Sequence, residues 1–500
     1  MTLDVPKINN GWWTLVRVVM VLLVLDIVAS VIAFPLVKNQ WIGFLPVIPA
    51  VGILIFGWCF RQRLKKMFEW LQSLSVARFL ILILVAGMGL RVLLILLVPF
   101  RVTGDDAVYH HFAHQWLTQG EITINQGGKE YLVTHWVPGP SLQLAGFYLL
   151  FGESVRVGQL SQVFWSGMTL LAVYLFGMRL CGPRVGRTAT FVYAFWPSMV
   201  FYPVCLGYEI MLGFVITLIS WFALRQPPQD RSYGTFFVLG LMIGIGCYVK
   251  SVLAIMVILI AGAYVVQRYP LRKWLPRLCL TLAAQVLVLV PWTYRNYKAY
   301  GEFIPMTSNL GHALRESYRH NPFDEQGNFI PYQYDPSLTP PEDNRKALRE
   351  ALAYMREDWM KTLYHIGDHH ARTWGTETTV VLKLIGERTE GGKIVKNFSY
   401  FLADLMRALF QTGWLLAVVA MTVATCFVCR GRKLDAGLVM TVIWHAYFCF
   451  GLTWIHPDPR MRLPIVPITA IWAAWGIVAW VDRKKKGEQD RRPLNDEKGD

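Results

Sequence analysis

The chain has 500 residues and a formal net charge of +16, with 54% hydrophobic residues and only 16% charged ones, against about 25% charged in soluble domains. So much apolar surface needs lipid as its solvent, which excludes an ordinary soluble multidomain protein. The basic residues cluster in short segments between apolar runs and not along one face, which excludes a nucleic-acid-binding protein.

A spanning helix needs about 20 mainly apolar residues. By that measure the runs at 12–37, 41–60, 79–100, 155–180, 188–203, 206–224, 234–249, 251–267, 278–294, 413–429, 434–452 and 464–481 predict about twelve transmembrane helices. The first run is too long for a cleavable signal and continues into a second. Residues 139–151 read as a short re-entrant helix. The fold class is therefore an all-α polytopic membrane protein. Residues 1–78 hold two N-terminal helices and a basic loop, and 79–294 hold a transmembrane core that includes a loop at 101–138. A second large loop with amphipathic helices covers 295–412, C-terminal helices cover 413–482, and 483–500 read as a disordered tail.

Twelve spans place every basic cluster on one side: Arg61 to Lys66, Arg179 to Arg187, Arg225 with Arg231, Arg268 to Arg277, Arg430 to Lys433 and Arg483 to Lys486. The positive-inside rule makes that side cytoplasmic. Both termini are then expected inside the plasma (inner) membrane, with loops 101–138 and 295–412 outside. The eight cysteines lie in or beside apolar runs, so no structural disulfide is expected. Cys426 and Cys429 end a span and do not read as a redox or zinc pair.

In the first loop, Thr103-Gly104-Asp105-Asp106 reads as a capping box that opens a helix, with Val108, Phe112 and Trp116 along one face. A carboxylate at a helix N-terminus stays ionised. It caps the helix and can also accept a proton from an incoming hydroxyl. In the second loop, Thr339 and Glu342 form a similar box with Pro340 at the first helical position. Beyond it Leu348, Leu352, Met355, Trp359 and Leu363 share one amphipathic face. Glu209 opens an apolar run. Lys250 lies between two runs on the outer side, where a charge must be paired or face a cavity. Gly240, Gly244 and Gly246 permit close helix approach. His110, His111 and His114 follow the aspartates, and His365, His369 and His370 include an i, i+4 pair. They read as surface or core histidines, so no cofactor is expected, the alternative being a divalent metal held by Asp105 with His110 or His111.

Five segments together resemble the C-type (GT-C) membrane glycosyltransferases, specifically the protein O-mannosyltransferase and lipid A aminoarabinose transferase type. Asp105-Asp106-Ala107-Val108-Tyr109 is similar to the family's Asp-[Glu/Asp]-x-x-Tyr motif. Pro138-Gly139-Pro140 with Phe151-Gly152-Glu153-Ser154 is similar to its proline pair, short helix and turn. Tyr208-Glu209, the Pro291-to-Tyr297 segment around Arg295, and Arg460-Met461-Arg462-Leu463-Pro464 follow in the family's order. The resemblance covers roughly 79–480. It implies a GT-C fold and inverting transfer of a monosaccharide from a polyprenyl-phosphate donor to a lipid, glycan or protein acceptor at the outer face.

The resemblance makes Asp105 the candidate base and Asp106 the second choice. It places Tyr109, His135, Glu209, Lys250, Arg295, Arg460 and Arg462 at the substrate, with the lysine and arginines as phosphate clamps. His135 stands where the family carries a basic residue before the proline pair. The expected partners are the lipid-linked donor, the acceptor and the bilayer, and no nucleic acid. A flippase for lipid-linked sugar would instead place charges and broken helices near the midplane. A polymerase or ligase with a diphosphate-linked donor would share the layout and lack the Asp-Asp-x-x-Tyr loop.

Overall fold

The computed structural model describes residues 18–22, 24–26, 28–29, 51–53, 55–56, 59–98, 100, 102–126, 128–225, 227–319, 335–375, 388–390, 393–395, 400–424 and 436–489. Five helices are long and apolar enough to cross a membrane: Val76–Leu97, Val155–Cys181, Leu271–Tyr300, Leu405–Val423 and Pro459–Asp482. Shorter apolar helices cover Glu209–Leu224, Tyr233–Val249, Ser251–Val266 and Ala436–Leu452. The chain is a multi-pass membrane protein in which these elements match nine of the expected spans. The expected runs at 12–37 and 41–60 lie largely outside the described residues, as do Cys426 and Cys429.

The run expected at 188–203 is not one continuous span. It is a helix Pro183–Ala194, a break, and a short turn of helix Pro197–Phe201. Pro197 has no N–H and holds Trp196 in an extended conformation (φ −64°, ψ 120°). The helix end freed by the break meets Arg91, buried in the Val76–Leu97 helix, whose Nη1 donates to the Ala194 carbonyl at 2.9 Å and to the Gly87 carbonyl at 2.8 Å.

Small residues set the helix spacing. A Cβ on Gly240 would overlap the Thr281 carbonyl oxygen, and one on Gly244 would stand 2.6 Å from Val288 Cβ. The Tyr233–Val249 and Leu271–Tyr300 helices therefore pack backbone to backbone. The Val76–Leu97 helix sits at the rim, with Ile81, Val85, Leu96 and Leu97 exposed. The Pro459–Asp482 segment is central, and Trp472 and Trp475 are buried along it.

Two hairpins depart from an all-helical reading. Thr123–Gln126 pairs antiparallel with Lys129–Leu132, Thr123 opposite Leu132 and Gln126 opposite Lys129, with Gly128 at φ 83° in the turn. Arg388–Glu390 pairs with Lys393–Val395. The stretch at 139–151 is the helix Gly139–Phe151, too short to span.

The Thr339 capping box forms as expected, with the Thr339 N–H donating to Glu342 Oε2 at 2.9 Å. The one expected at Thr103 does not form. The N-cap of the Asp105–Thr118 helix is Gly104 (φ 57°), without a side-chain cap bond. The amphipathic run beyond Thr339 is likewise two helices, Pro340–Glu357 and Trp359–Trp374, because Asp358 accepts the Lys361 N–H at 2.9 Å and starts a second one. The buried face of the first helix carries Ala347 and Ala351, whereas Trp359 and Leu363 of the second are exposed.

The two large loops are stitched together. Thr134 and Ser308 share a hydroxyl–hydroxyl hydrogen bond of 2.7 Å, and Gln126 Nε2 donates to the Asp335 carbonyl at 3.0 Å. Buried His135 stacks on His312, with centroids 5.0 Å apart, and His312 Nε2 lies 3.9 Å from the buried Asp343 carboxylate. Burial, reinforced by His312, lowers the His135 imidazole to about 3.

Two outcomes follow from this packing. Gly240→Ala should destabilise the bundle by about 1–3 kcal/mol, as overpacking does. Gly234→Ala, whose Cβ would meet nothing nearer than Ser232 Oγ at 3.8 Å, should leave thermal unfolding in detergent unchanged. The second concerns pH. An unfolded histidine takes up a proton below about 6.5, whereas folded His135 refuses it down to about 3. The stability it contributes is full above the unfolded value and declines as pH falls through that window. Amide protection factors in the Leu310–Tyr318 helix, corrected for the intrinsic pH dependence of exchange, should fall from pH 6.5 towards 4, and less steeply in His135→Gln.

Candidate functional site

Arg460 is the centre of the loop end of the bundle. It lies in the 3-10 turn Pro459–Ile465, which opens the last span and whose N-cap Asp458 accepts the Arg460 N–H at 2.9 Å. Three carboxylates from three segments surround its guanidinium. Asp105 Oδ2 is 2.6 Å from Nη1, Asp458 Oδ2 is 3.2 Å from Nε, and Glu209 Oε1 is 3.9 Å from Nε. Asp105 is the first residue of the Asp105–Thr118 helix and Glu209 the first of Glu209–Leu224. Each thus sits at a positive dipole end, which favours the ionised form. Asp105 is the most accessible of the three, with its side chain 32% exposed against 14% for Asp458 and 0% for Glu209.

Lys250 reaches the same place from the junction of the Tyr233–Val249 helix with the Ser251–Ile255 turn. Its ammonium stands 4.2 Å from the centroid of the Tyr208 ring, a cation–π contact that holds a partly desolvated cation. Burial and the Arg460 charge lower it to about 8, opposed by Glu209 and Asp105. Tyr109, one turn beyond Asp105, packs edge-on against Tyr208 at 6.3 Å. Burial first, and the nearby carboxylates second, keep both phenols protonated.

The structure thus brings together Asp105, Tyr109, Glu209, Lys250 and Arg460. The other candidates lie elsewhere. Asp106 is fully buried, with its charge felt at the buried Tyr202 phenol alongside those of Glu209 and Arg460. His135 belongs to the stack with His312. Arg295 is on the Leu271–Tyr300 helix, which runs past the expected end at 294. Its Nη1 donates to the Val133 carbonyl at 2.6 Å, its Nη2 donates to the Ile122 carbonyl at 3.1 Å, and its guanidinium lies over Trp292. Arg462 points away from Arg460. Its Nη2 donates to the Gly375 carbonyl and to Gln411 Oε1, both at 3.0 Å, and it packs on Trp414.

Sequence reasoning missed Asp458 and His456, although both lie in the His456-Pro457-Asp458-Pro459-Arg460 turn. An aspartate between two prolines, two residues before an arginine, is a turn signal that could have found the first. Burial lowers His456, which sits among Asp458, Arg460, Glu316 and Lys250. Among the described residues no group of three or more His, Cys, Asp or Glu side chains is placed to hold a metal ion. His110 instead bonds the Tyr148 hydroxyl at 2.8 Å, and His370 bonds Asp26 at 2.9 Å.

Residues 137–294 match the family model described as dolichyl-phosphate-mannose-protein mannosyltransferase. No curated protein sequence matches the chain. Among solved structures, the chain is similar to the archaeal oligosaccharyltransferase AglB from Archaeoglobus fulgidus, solved with an inhibitory peptide and a dolichol-phosphate. The TM-score is 0.50 at 12% identity over 84% of this chain and 53% of that one. It also aligns with ArnT from Cupriavidus metallidurans, solved with undecaprenyl phosphate, at TM-score 0.38 and 14% identity over 83% of this chain and 80% of that one. The chain spans about half the length of the archaeal enzyme. The family match thus covers the central helices, and the archaeal oligosaccharyltransferase shares the fold along most of the chain.

Proposed function

We propose that this protein transfers a monosaccharide from a polyprenyl-phosphate donor to an acceptor at the non-cytoplasmic face of the plasma membrane, with inversion, and that Asp105 is the general base. The observation that carries the reading is the Asp105–Arg460 pair with the Lys250 ammonium in the same pocket. The dolichol-phosphate bound in the archaeal structure of like fold supports a lipid phosphate as the ligand.

The chemistry asks for two things at one interface. The acceptor hydroxyl must lose its proton, and the leaving phosphate must have its growing negative charge met by cations. Asp105, ionised and aimed by Arg460, takes the proton. Arg460 presents Nη1 and Nε to the carboxylates, which leaves its Nη2 edge for a phosphate oxygen, with Lys250 beside it. Glu209 holds Arg460 from the buried side and offers an acceptor to sugar hydroxyls.

Asp105→Asn should slow release of polyprenyl phosphate by about 10²–10⁴-fold, with an unchanged far-UV spectrum and elution volume. Full activity in that variant removes Asp105 as the base. Movement of labelled lipid across vesicles without glycosyl transfer would identify a carrier, and preference for a diphosphate-linked donor would identify a ligase. The lysine gives a pH signature. A folded value near 8, against about 10.4 for an ordinary lysine, means that Lys250 is charged below pH 8 and neutral above it. Affinity for polyprenyl phosphate should therefore weaken as pH rises from 7.5 to 9.5, and Lys250→Arg should flatten that dependence.

A further inference from the structure

A cleft of about 510 Å³ flanks the helix that carries Asp105, within the roughly 300–1,000 Å³ of small-ligand sites. One wall is that helix, through Val108, His111 and Gln119, and the other is the hairpin, through Asn125 and Glu130. Val108 is one turn beyond Asp105 on the neighbouring face, with Cβ atoms about 5–6 Å apart. One end of the cleft therefore lies one helical turn from Asp105.

The lining has a specific chemistry. Trp136 is half-buried and braced edge-on by the buried Phe112 ring, 5.8 Å away at 72°. It offers a rigid aromatic surface at the floor. Asn125 and Glu130 are cross-strand partners in the hairpin and both are exposed, so they project from the same face. Asn125 Oδ1 accepts the Gly128 N–H at 3.1 Å, which turns its NH₂ outward as a donor. Glu130 supplies acceptors and Gln119 supplies both. Among the described residues no lysine or arginine lines the cleft, although the chain carries a net charge of +16.

An aromatic floor with an amide and carboxylate rim suits a ligand that has apolar C–H faces and many hydroxyls. Among the described lining residues the charge at the rim is that of Glu130, which disfavours a phosphate or a uronic acid. We propose that this cleft seats the acceptor and that the acceptor is an uncharged glycan. Its C–H face stacks on Trp136, and its hydroxyls bond Asn125, Glu130 and Gln119. The role as acceptor rests on the transferase reading, whereas the binding of a neutral glycan does not.

The test uses the purified full chain in detergent and saturation-transfer NMR. The probes are neutral hexose and N-acetylhexosamine disaccharides, a glucuronic-acid-containing disaccharide and a serine-containing hexapeptide. Signal is expected for neutral disaccharides. Binding should be about tenfold weaker in Trp136→Ala, the loss of one stacking contact. Because Trp136 packs on Phe112, Glu130→Lys at an exposed position is the second variant. It should weaken neutral disaccharides and favour the uronic acid, with polyprenyl phosphate affinity unchanged in both. The proposal is overturned by signal only from the peptide or the acidic sugar, by no signal from any neutral disaccharide, or by binding that neither variant changes. Any of these results, alongside intact release of polyprenyl phosphate, removes the glycan cleft and leaves the transferase reading in place.

Discussion

One guanidinium with three carboxylates around it organises this end of the molecule. Two unit charges at 4 Å interact by about 4 kcal/mol at the effective dielectric of a protein surface, and removing any one of them strands the others in a site that is mostly buried. Asp105, Glu209 and Asp458 come from a loop helix, from the start of a span and from a turn near the end of the chain. Arg460 meets all three carboxylates only when these segments have packed. The same contacts hold the Asp105–Thr118 helix against the bundle, so a change in the late turn reaches the first loop through electrostatics alone.

The neighbouring arginine shows how that centre is held. Arg462, two residues on, is buried between Trp374 and Trp414 and is bonded to Gln411 and the Gly375 carbonyl. In a 3-10 turn residues two apart point in different directions. One arginine therefore fastens the turn to the Tyr400–Val423 helix and to the end of the Trp359–Trp374 helix, while the other faces the pocket. Pairing two cations of different duty on one short turn fixes the position of Arg460 more firmly than its own contacts would.

Much of this was legible in the sequence where a local rule decides. Nine apolar runs, the Thr339 capping box and the close approach at Gly240 and Gly244 each follow from composition or spacing. Lys250 stood out because an unpaired cation at that position violates the charge rule. The rest depended on partners distant in the chain. Arg295 follows the expected end of a span, in a segment that resembles the family's, and reads as a phosphate clamp. Only the fold shows that its donors go to the Val133 and Ile122 carbonyls. The hairpin at 123–132 has strands of four residues, too short for a period of two to show. Asp105 and Asp106 are indistinguishable as types, and which one faces the pocket was fixed by where the helix starts. With Gly104 rather than Thr103 as the cap, Asp105 turns to Arg460 and Asp106 is buried.

What Arg295 does instead matters for the chemistry. By holding two backbone carbonyls at the base of the hairpin, it ties the first loop to the Leu271–Tyr300 helix, and Trp292 and Asn296 tie the same helix to the Met306 and Ile304 carbonyls of the second loop. The hairpin in turn receives Gln115 from the Asp105–Thr118 helix, whose Nε2 donates to Thr123 Oγ1 and whose Oε1 accepts the Thr123 N–H, both at 3.1 Å. A chain of hydrogen bonds thus runs from one spanning helix through the hairpin to the helix that carries Asp105. Positioning by such rigid supports lowers the reorganisation needed at the moment of reaction. Arg295 therefore bears on both the carboxylate and the cleft, because it ties down the hairpin that supports the Asp105–Thr118 helix and forms the cleft wall.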